Sequence, residues 1–142
     1  MDNNKKAYTG YDYFLSNNPC YAKAHSISVE FINYSKILMA RNDYTILAPI
    51  INQCVRSSSS ISANISEGIC PVISPKDRIN KFSIAYKETI ETIHWISTLH
   101  DIGELPDDKY THLLDECTQI AKMLNASICT LRSKLNTKYK KE

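Results

Sequence analysis

Apolar residues recur every three or four positions through most of the chain, and the recurrence falls into four blocks. In the first, Ala24, Ile27, Phe31, Tyr34 and Leu38 form one stripe, which predicts a helix over about 21–41. After the polar pair Asn42 and Asp43, a second stripe of Ile50, Cys54, Ser57 or Ser58, Ile61 and Ile65 predicts a helix over about 48–68. Pro49 then falls in its first turn, where a missing N–H costs nothing. Ser74-Pro75-Lys76-Asp77 combines a serine cap, a proline at the first position and an acid in the first turn, and opens a third helix over about 75–101. Its stripe is Ile79, Phe82, Tyr86, Ile90 or Thr89, Ile93, and Ile96 or Leu99. Beyond Leu105-Pro106 the longest pattern, from Tyr110 and Leu113 through Cys117, Ile120, Leu124, Ile128 and Leu131 to Leu135, predicts a helix over about 107–137.

Four amphipathic helices joined by short connections bury their stripes against one another, so the expected fold is all-α, an antiparallel up-down-up-down four-helix bundle over 19–137. No alternation of period two competes with it. Residues 1–18 carry Tyr8, Tyr11, Tyr13 and Phe14 without a sustained period and form an aromatic N-terminal arm, and 138–142 form a basic C-terminal tail.

The run Ser57-Ser58-Ser59-Ser60 is low in complexity, and serine is a middling helix former. Because Ile50, Ile61 and Ile65 hold helical phase across it, small residues inside a helix, admitting a close neighbour, describe it better than a linker. Gly68 is placed to end that helix as a C′ residue, with Pro71 beyond it.

At 142 residues, with three glycines and five prolines, the chain has the length of one domain and few breaks. No apolar run approaches the roughly 20 residues that cross a bilayer, and Met1 to Tyr11 lacks a secretory pattern, so the expected location is cytoplasmic. Five cysteines without a C-x-x-C pair argue against a disulfide framework or zinc knuckle. The four histidines form no H-x-x-x-H pair, and Glu88 and Glu91 read as a solvated face. With no P-loop, Gly-rich fingerprint or nucleophile elbow either, the chain is expected to be no enzyme, with no catalytic residue, metal or cofactor.

A net charge of +2 is distributed unevenly. From Glu88 to Glu116 eight acids face one base, Lys109, whereas from Cys117 onward Lys122, Arg132, Lys134, Lys138, Lys140 and Lys141 face only Glu142. Candidate contacts for nucleic acid are therefore Arg56 in the second helix, Lys76, Arg78, Lys81 and Lys87 in the third, and Lys122, Arg132, Lys134 and Lys138 in the fourth.

The stretch Gln53-Cys54-Val55-Arg56-Ser57-Ser58-Ser59-Ser60-Ile61-Ser62-Ala63-Asn64-Ile65-Ser66-Glu67-Gly68 resembles the signature of the 23S rRNA intervening-sequence proteins. That signature runs Gln, a basic residue, small residues, Ser-Ile, a small residue, Asn-Ile, a small residue, Glu-Gly. Lys81 to Thr92 with Trp95, and Ile120 to Leu131, are also similar, and the likeness spans about Asn18 to Leu135. The resemblance implies a bundle assembled into a barrel-shaped homopentamer. It also implies kinship with the accessory variability proteins of diversity-generating retroelements, which bind a reverse transcriptase and its template RNA, and no enzymatic activity. The chain departs from the pattern at Ser58 to Ser60, where alanine or glycine is commoner, and in its longer arm. Asn64, Glu67 and Gly68 are the most specific part of the signature, and their expected role is structural, with Asn64 and Glu67 bonding across helices or subunits and Gly68 closing the helix.

Overall fold

The structure, a computed structural model, describes residues 15–41 and 43–139, the side chains of 138 and 139 excepted. The tyrosine-rich part of the arm, and all of the basic tail but two backbone positions, lie outside the described residues.

Four helices account for nearly all of the rest: α1 (Pro19–Met39), α2 (Tyr44–Gly68), α3 (Pro75–Asp101) and α4 (Asp107–Tyr139). No strand occurs among the described residues. Asn18 caps α1, its side chain accepting from the Tyr21 N–H at 2.9 Å with Pro19 at the first position. Ser74 does the same for α3, accepting from the Asp77 N–H at 3.1 Å.

α2 departs from expectation at both ends. It begins at Tyr44, so Pro49 lies in its second turn and leaves the Thr45 carbonyl without an N–H four residues on. The gain that offsets this is burial: Leu47 packs with Leu38 and Ile51 in a small satellite core, which draws the segment before the proline into the helix. At the other end Gly68 is the last helical residue and not a left-handed C′ position; among the described residues only Gly103, in the turn after α3, has positive φ, at 79°. What demands glycine at 68 is space. A Cβ there would lie 2.5 Å from Cε1 and 2.7 Å from Cδ1 of Phe82.

One core joins all four helices, from Ile27 and Phe31 on α1 through Ile61 and Ile65 on α2, Ile96 and Leu99 on α3, to Leu113, Cys117, Ile120 and Leu124 on α4. Of the alternatives on α3, Thr89 faces the interior and Ile90 is 47% exposed. Of the four helix pairs in substantial contact, α2 and α3 share the broadest interface and α1 and α4 the thinnest. The serine run explains the first: Ser57 and Ser58 are fully buried, with the fully buried Thr92 hydroxyl 2.9 Å from that of Ser57. Each serine hydroxyl also returns a bond to its own helix, Ser57 to Cys54 O and Ser58 to Val55 O, so backbones approach with no polar group stranded. Along α2 and α3, Ser57 meets Thr92 and Glu67 meets Lys81; along α1 and α4, Lys23 meets Glu116 and Glu30 meets Lys109.

Candidate nucleic-acid interface

The start of α1, the end of α2, the start of α3 and the C-terminal third of α4 meet at one end of the bundle, where Asn18, Ile69, Phe82 and Leu131 line a common cavity. α4 outruns its neighbours there. Leu131 is its last residue against the core, and the eight that follow carry the helix roughly 12 Å further, with Arg132, Ser133, Lys134, Asn136 and Thr137 exposed. That projecting segment is the negative end of the helix dipole, a favourable place for its own cations.

This end is the basic one. Lys76, Arg78 and Lys81 in the first two turns of α3 and Arg132 and Lys134 on α4 converge on it. The opposite end is acidic, with Asp43, Asp101, Glu104, Asp107 and Asp108. There Arg41 is held by both Asp43, at 2.5 Å, and Glu104, and His100 stacks on Tyr110 while its Nε2 lies 2.8 Å from Asp107. Part of the uneven charge of the sequence, the acids at 101–108 and the bases at 132 and 134, thus falls at opposite ends of the folded chain, while Glu88, Glu91 and Lys122 lie along its body.

The remaining candidates lie elsewhere or are engaged. Arg56, midway along α2, pairs with Glu91 and, at 3.5 Å, with Glu88, and donates to Gln53 Oε1 at 3.0 Å. This arginine, with a bond from Trp95 Nε1 at 3.2 Å, holds the Glu91 carboxyl below the ordinary carboxylate range. Lys81 pairs with Glu67 across the α2–α3 interface. Lys87 and Lys122 are exposed on the body of the bundle, without an ion pair among the described residues. The Lys138 side chain lies outside the described residues.

Of the signature residues, Glu67 and Gly68 act between helices, through Lys81 and Phe82. Asn64 does not: its Nδ2 donates to Ser60 O at 2.9 Å and Ser60 Oγ at 3.1 Å, one turn earlier in its own helix. The short side chain reaches back through its Nδ2 to the serine that the run supplies, and within the chain it makes no bond to another helix.

One surface escaped the single-stripe reading of α1. Val29, Ile32, Ile37 and Met39 lie outside the bundle, Ile37 being 64% exposed, and Ile46 at the start of α2 is 81% exposed. Val29, Ile37 and Ala22 line an open groove of about 660 Å³ between α1 and the start of α4. The signal was present in the sequence, since α1 is apolar on two sides and a helix exposed on one side needs only one.

Burial pushes the Cys54 and Cys117 thiols up to about 12 and that of Cys20 to about 11. No group of three or more histidine, cysteine or acidic side chains is arranged to hold a metal ion among the described residues. No described helix is long and apolar enough to cross a membrane.

A protein-family model described as 23S rRNA-intervening sequence protein matches residues 16–126, well over half of the chain. Among solved structures, the chain is similar to a protein with unknown function from the S23 ribosomal protein family of Bacteroides thetaiotaomicron VPI-5482, at 29% identity and a TM-score of 0.66. That likeness covers 77% of this chain and 97% of the other. No curated protein sequence matches the chain.

Proposed function

Because the chain belongs to the family of 23S rRNA-intervening sequence proteins and gathers Lys76, Arg78, Arg132 and Lys134 at one end of a four-helix bundle, we propose that it is a self-associating, non-enzymatic accessory protein of the cytoplasm that offers this end to nucleic acid. The convergence of Lys76, Arg78, Arg132 and Lys134 carries the reading. The partners it suits are those that the sequence resemblance implies, a reverse transcriptase and its template RNA. Assembly in this reading runs through the outer side of α1, where Val29, Ile32, Ile37 and Met39 are exposed. The order in which residues pair, α1 with α4 and α2 with α3, supports antiparallel packing, and in a ring of five such bundles the basic ends lie on one rim. Weak contacts repeated around that rim act multivalently.

Binding of a structured RNA is measured against salt concentration for the wild type and for R132Q/K134Q. A negative slope of log affinity against log salt is expected, reduced by about 0.7–0.9 for each phosphate that the variant no longer neutralises. An affinity that ignores salt, or no binding at low salt, rejects the reading. Light scattering that reports a monomer at micromolar concentration rejects the assembly.

A second reading, a structural or protein-interaction bundle without direct contact to nucleic acid, is favoured by the commitment of Arg56 and Lys81 to internal ion pairs. The same salt titration separates the two.

A further inference from the structure

The cavity at the basic end, about 460 Å³, lies between the tip of α1, the end of α2, the start of α3 and α4. Its size is that of a small-ligand site. Ile69, Phe82 and Leu131 supply an apolar wall, Asn18 and Ser127 polar edges, and Arg78 the single charge among the described residues, none of which brings a carboxylate to the lining.

Arg78 differs from the other arginines of the fold. Arg41 and Arg56 each meet two carboxylates, and Arg132 is exposed to water. Arg78 is partly buried, has no ion pair among the described residues, and spends one bond, from Nη2 to Cys70 O at 3.3 Å. Its Nε is buried with no acceptor among the described residues. A guanidinium drawn out of water without a counter-ion, beside a cavity with no anion in its walls, is incomplete in one respect only, and an anion with two or more acceptor oxygens completes it.

The geometry points to a phosphate-binding pocket in which Arg78 takes a phosphomonoester, with the sugar or base of the same nucleotide against Phe82, Ile69 and Leu131. Phosphate is favoured over carboxylate because Lys76, Arg132 and Lys134 stand at the same end, a field suited to a dianion. Engagement requires the guanidinium to turn from the wall toward the ligand, bringing Nε into use. The tip of α1 adds the positive end of its dipole, and the Asn18 Nδ2 has no acceptor among the described residues, its Oδ1 being occupied by the Tyr21 N–H. The bearer of the phosphate is either a free mononucleotide or the 5′ end of a strand. The latter rests on the nucleic-acid reading above, and the pocket itself does not.

The test follows the Arg78 Nε–H resonance by NMR while the full-length protein is titrated with inorganic phosphate, adenosine 5′-monophosphate, N-acetylphenylalanine, and one short RNA carrying either a 5′-phosphate or a 5′-hydroxyl. The nucleotide is expected to shift the resonance at least tenfold more tightly than inorganic phosphate. R78Q should lose the nucleotide at least tenfold. S127E, which places a carboxylate at the exposed rim of the cavity without touching the core, should do the same with its helicity intact. A tenfold preference for the 5′-phosphorylated RNA, lost in R78Q, identifies the strand end. Nucleotide binding without RNA binding keeps the pocket and rejects the nucleic-acid reading. Salt-dependent RNA binding that is blind to the 5′ group and to S127E, with a silent Nε–H, keeps that reading and overturns the pocket. A stronger response to N-acetylphenylalanine than to the nucleotide overturns the assignment to phosphate.

Discussion

Gly68 and Phe82 touch so closely that the ring of one occupies the place of the other's missing side chain, with 2.5 Å between Cε1 and the position of an ideal Cβ. Phe82 is 8% exposed and part of the main core, so it has little room to retreat. Gly68→Ala is therefore expected to destabilise the protein by roughly 1–3 kcal/mol through overpacking, despite alanine's better helix propensity. The double variant G68A/F82L should recover part of that loss. Urea unfolding of the wild type and both variants checks it; a G68A protein as stable as the wild type would show that the ring is free to move.

The buried hydroxyl pair of Ser57 and Thr92 sets the spacing of α2 and α3. Ser57→Ala should cost about 1 kcal/mol, since Thr92 keeps its bond to Glu88 O at 2.8 Å and is not stranded. Ser58→Leu, adding volume at a fully buried position, should cost more, roughly 1–3 kcal/mol. The order of the two midpoints in denaturant is the measurement. A reversed order would mean that hydrogen bonding outweighs the small size of these residues.

These two sites also mark how far the sequence could be read. Helical phase through the serine run, with Ile61 and Ile65 holding register, was enough to keep α2 whole, and Ser74-Pro75 marked the start of α3 by its capping chemistry. The beginning of α2 was not legible, because Asp43 makes no side-chain cap bond and Pro49 imitates a first-turn proline. The reason for glycine at 68 was hidden too: a sequence shows which residue lacks a Cβ, and only the fold shows whose ring needs the space. At the interface, the uneven charge along the chain was visible. That Arg56 and Lys81 would be occupied by Glu91 and Glu67 depended on distances between helices.

Arg56→Ala tests the first of these pairings. The Glu91 carboxyl is depressed first by its bond from Arg56 and then by that from Trp95. A depressed carboxylate contributes stability that is fully present above its unfolded value near 4.3 and lost as pH falls through the lower folded value. The wild type should exceed R56A by at most about 1 kcal/mol at neutral pH, the pair being largely exposed, and the difference should shrink in acid. Thermal unfolding from pH 7 down to 3 measures this. RNA affinity should be the same for both proteins; a fall in R56A would return Arg56 to the binding surface.

The cysteines should separate by location. With thiols raised to about 12, Cys54 and Cys117 carry roughly one thiolate in ten thousand at pH 8, and they are buried besides. Cys129 is exposed on α4. Alkylation followed by mass spectrometry should mark Cys129 within minutes in the native protein, and Cys54 and Cys117 only in denaturant. Early labelling of either core cysteine would reveal opening of the bundle on the same timescale.

The thin seam between α1 and α4 has a consequence for how copies of the chain come together. Lys23 binds Glu116 through both carboxylate oxygens, at 2.9 and 3.0 Å, and Glu30 binds Lys109 at 2.7 Å, so much of what ties these two helices is Coulombic and weakens as salt rises. α2 and α3 are joined by ion pairs as well, of Arg56 with Glu88 and Glu91 and of Lys81 with Glu67, but their contact is far broader and keeps its buried side chains when salt screens those pairs. α1 is thus a helix with one apolar side inward and another outward, fastened at its edge by bonds that ions dissolve. Amide hydrogen exchange along α1 should quicken with salt while α2 and α3 stay protected, and subunits should trade places between assemblies faster in the same solutions.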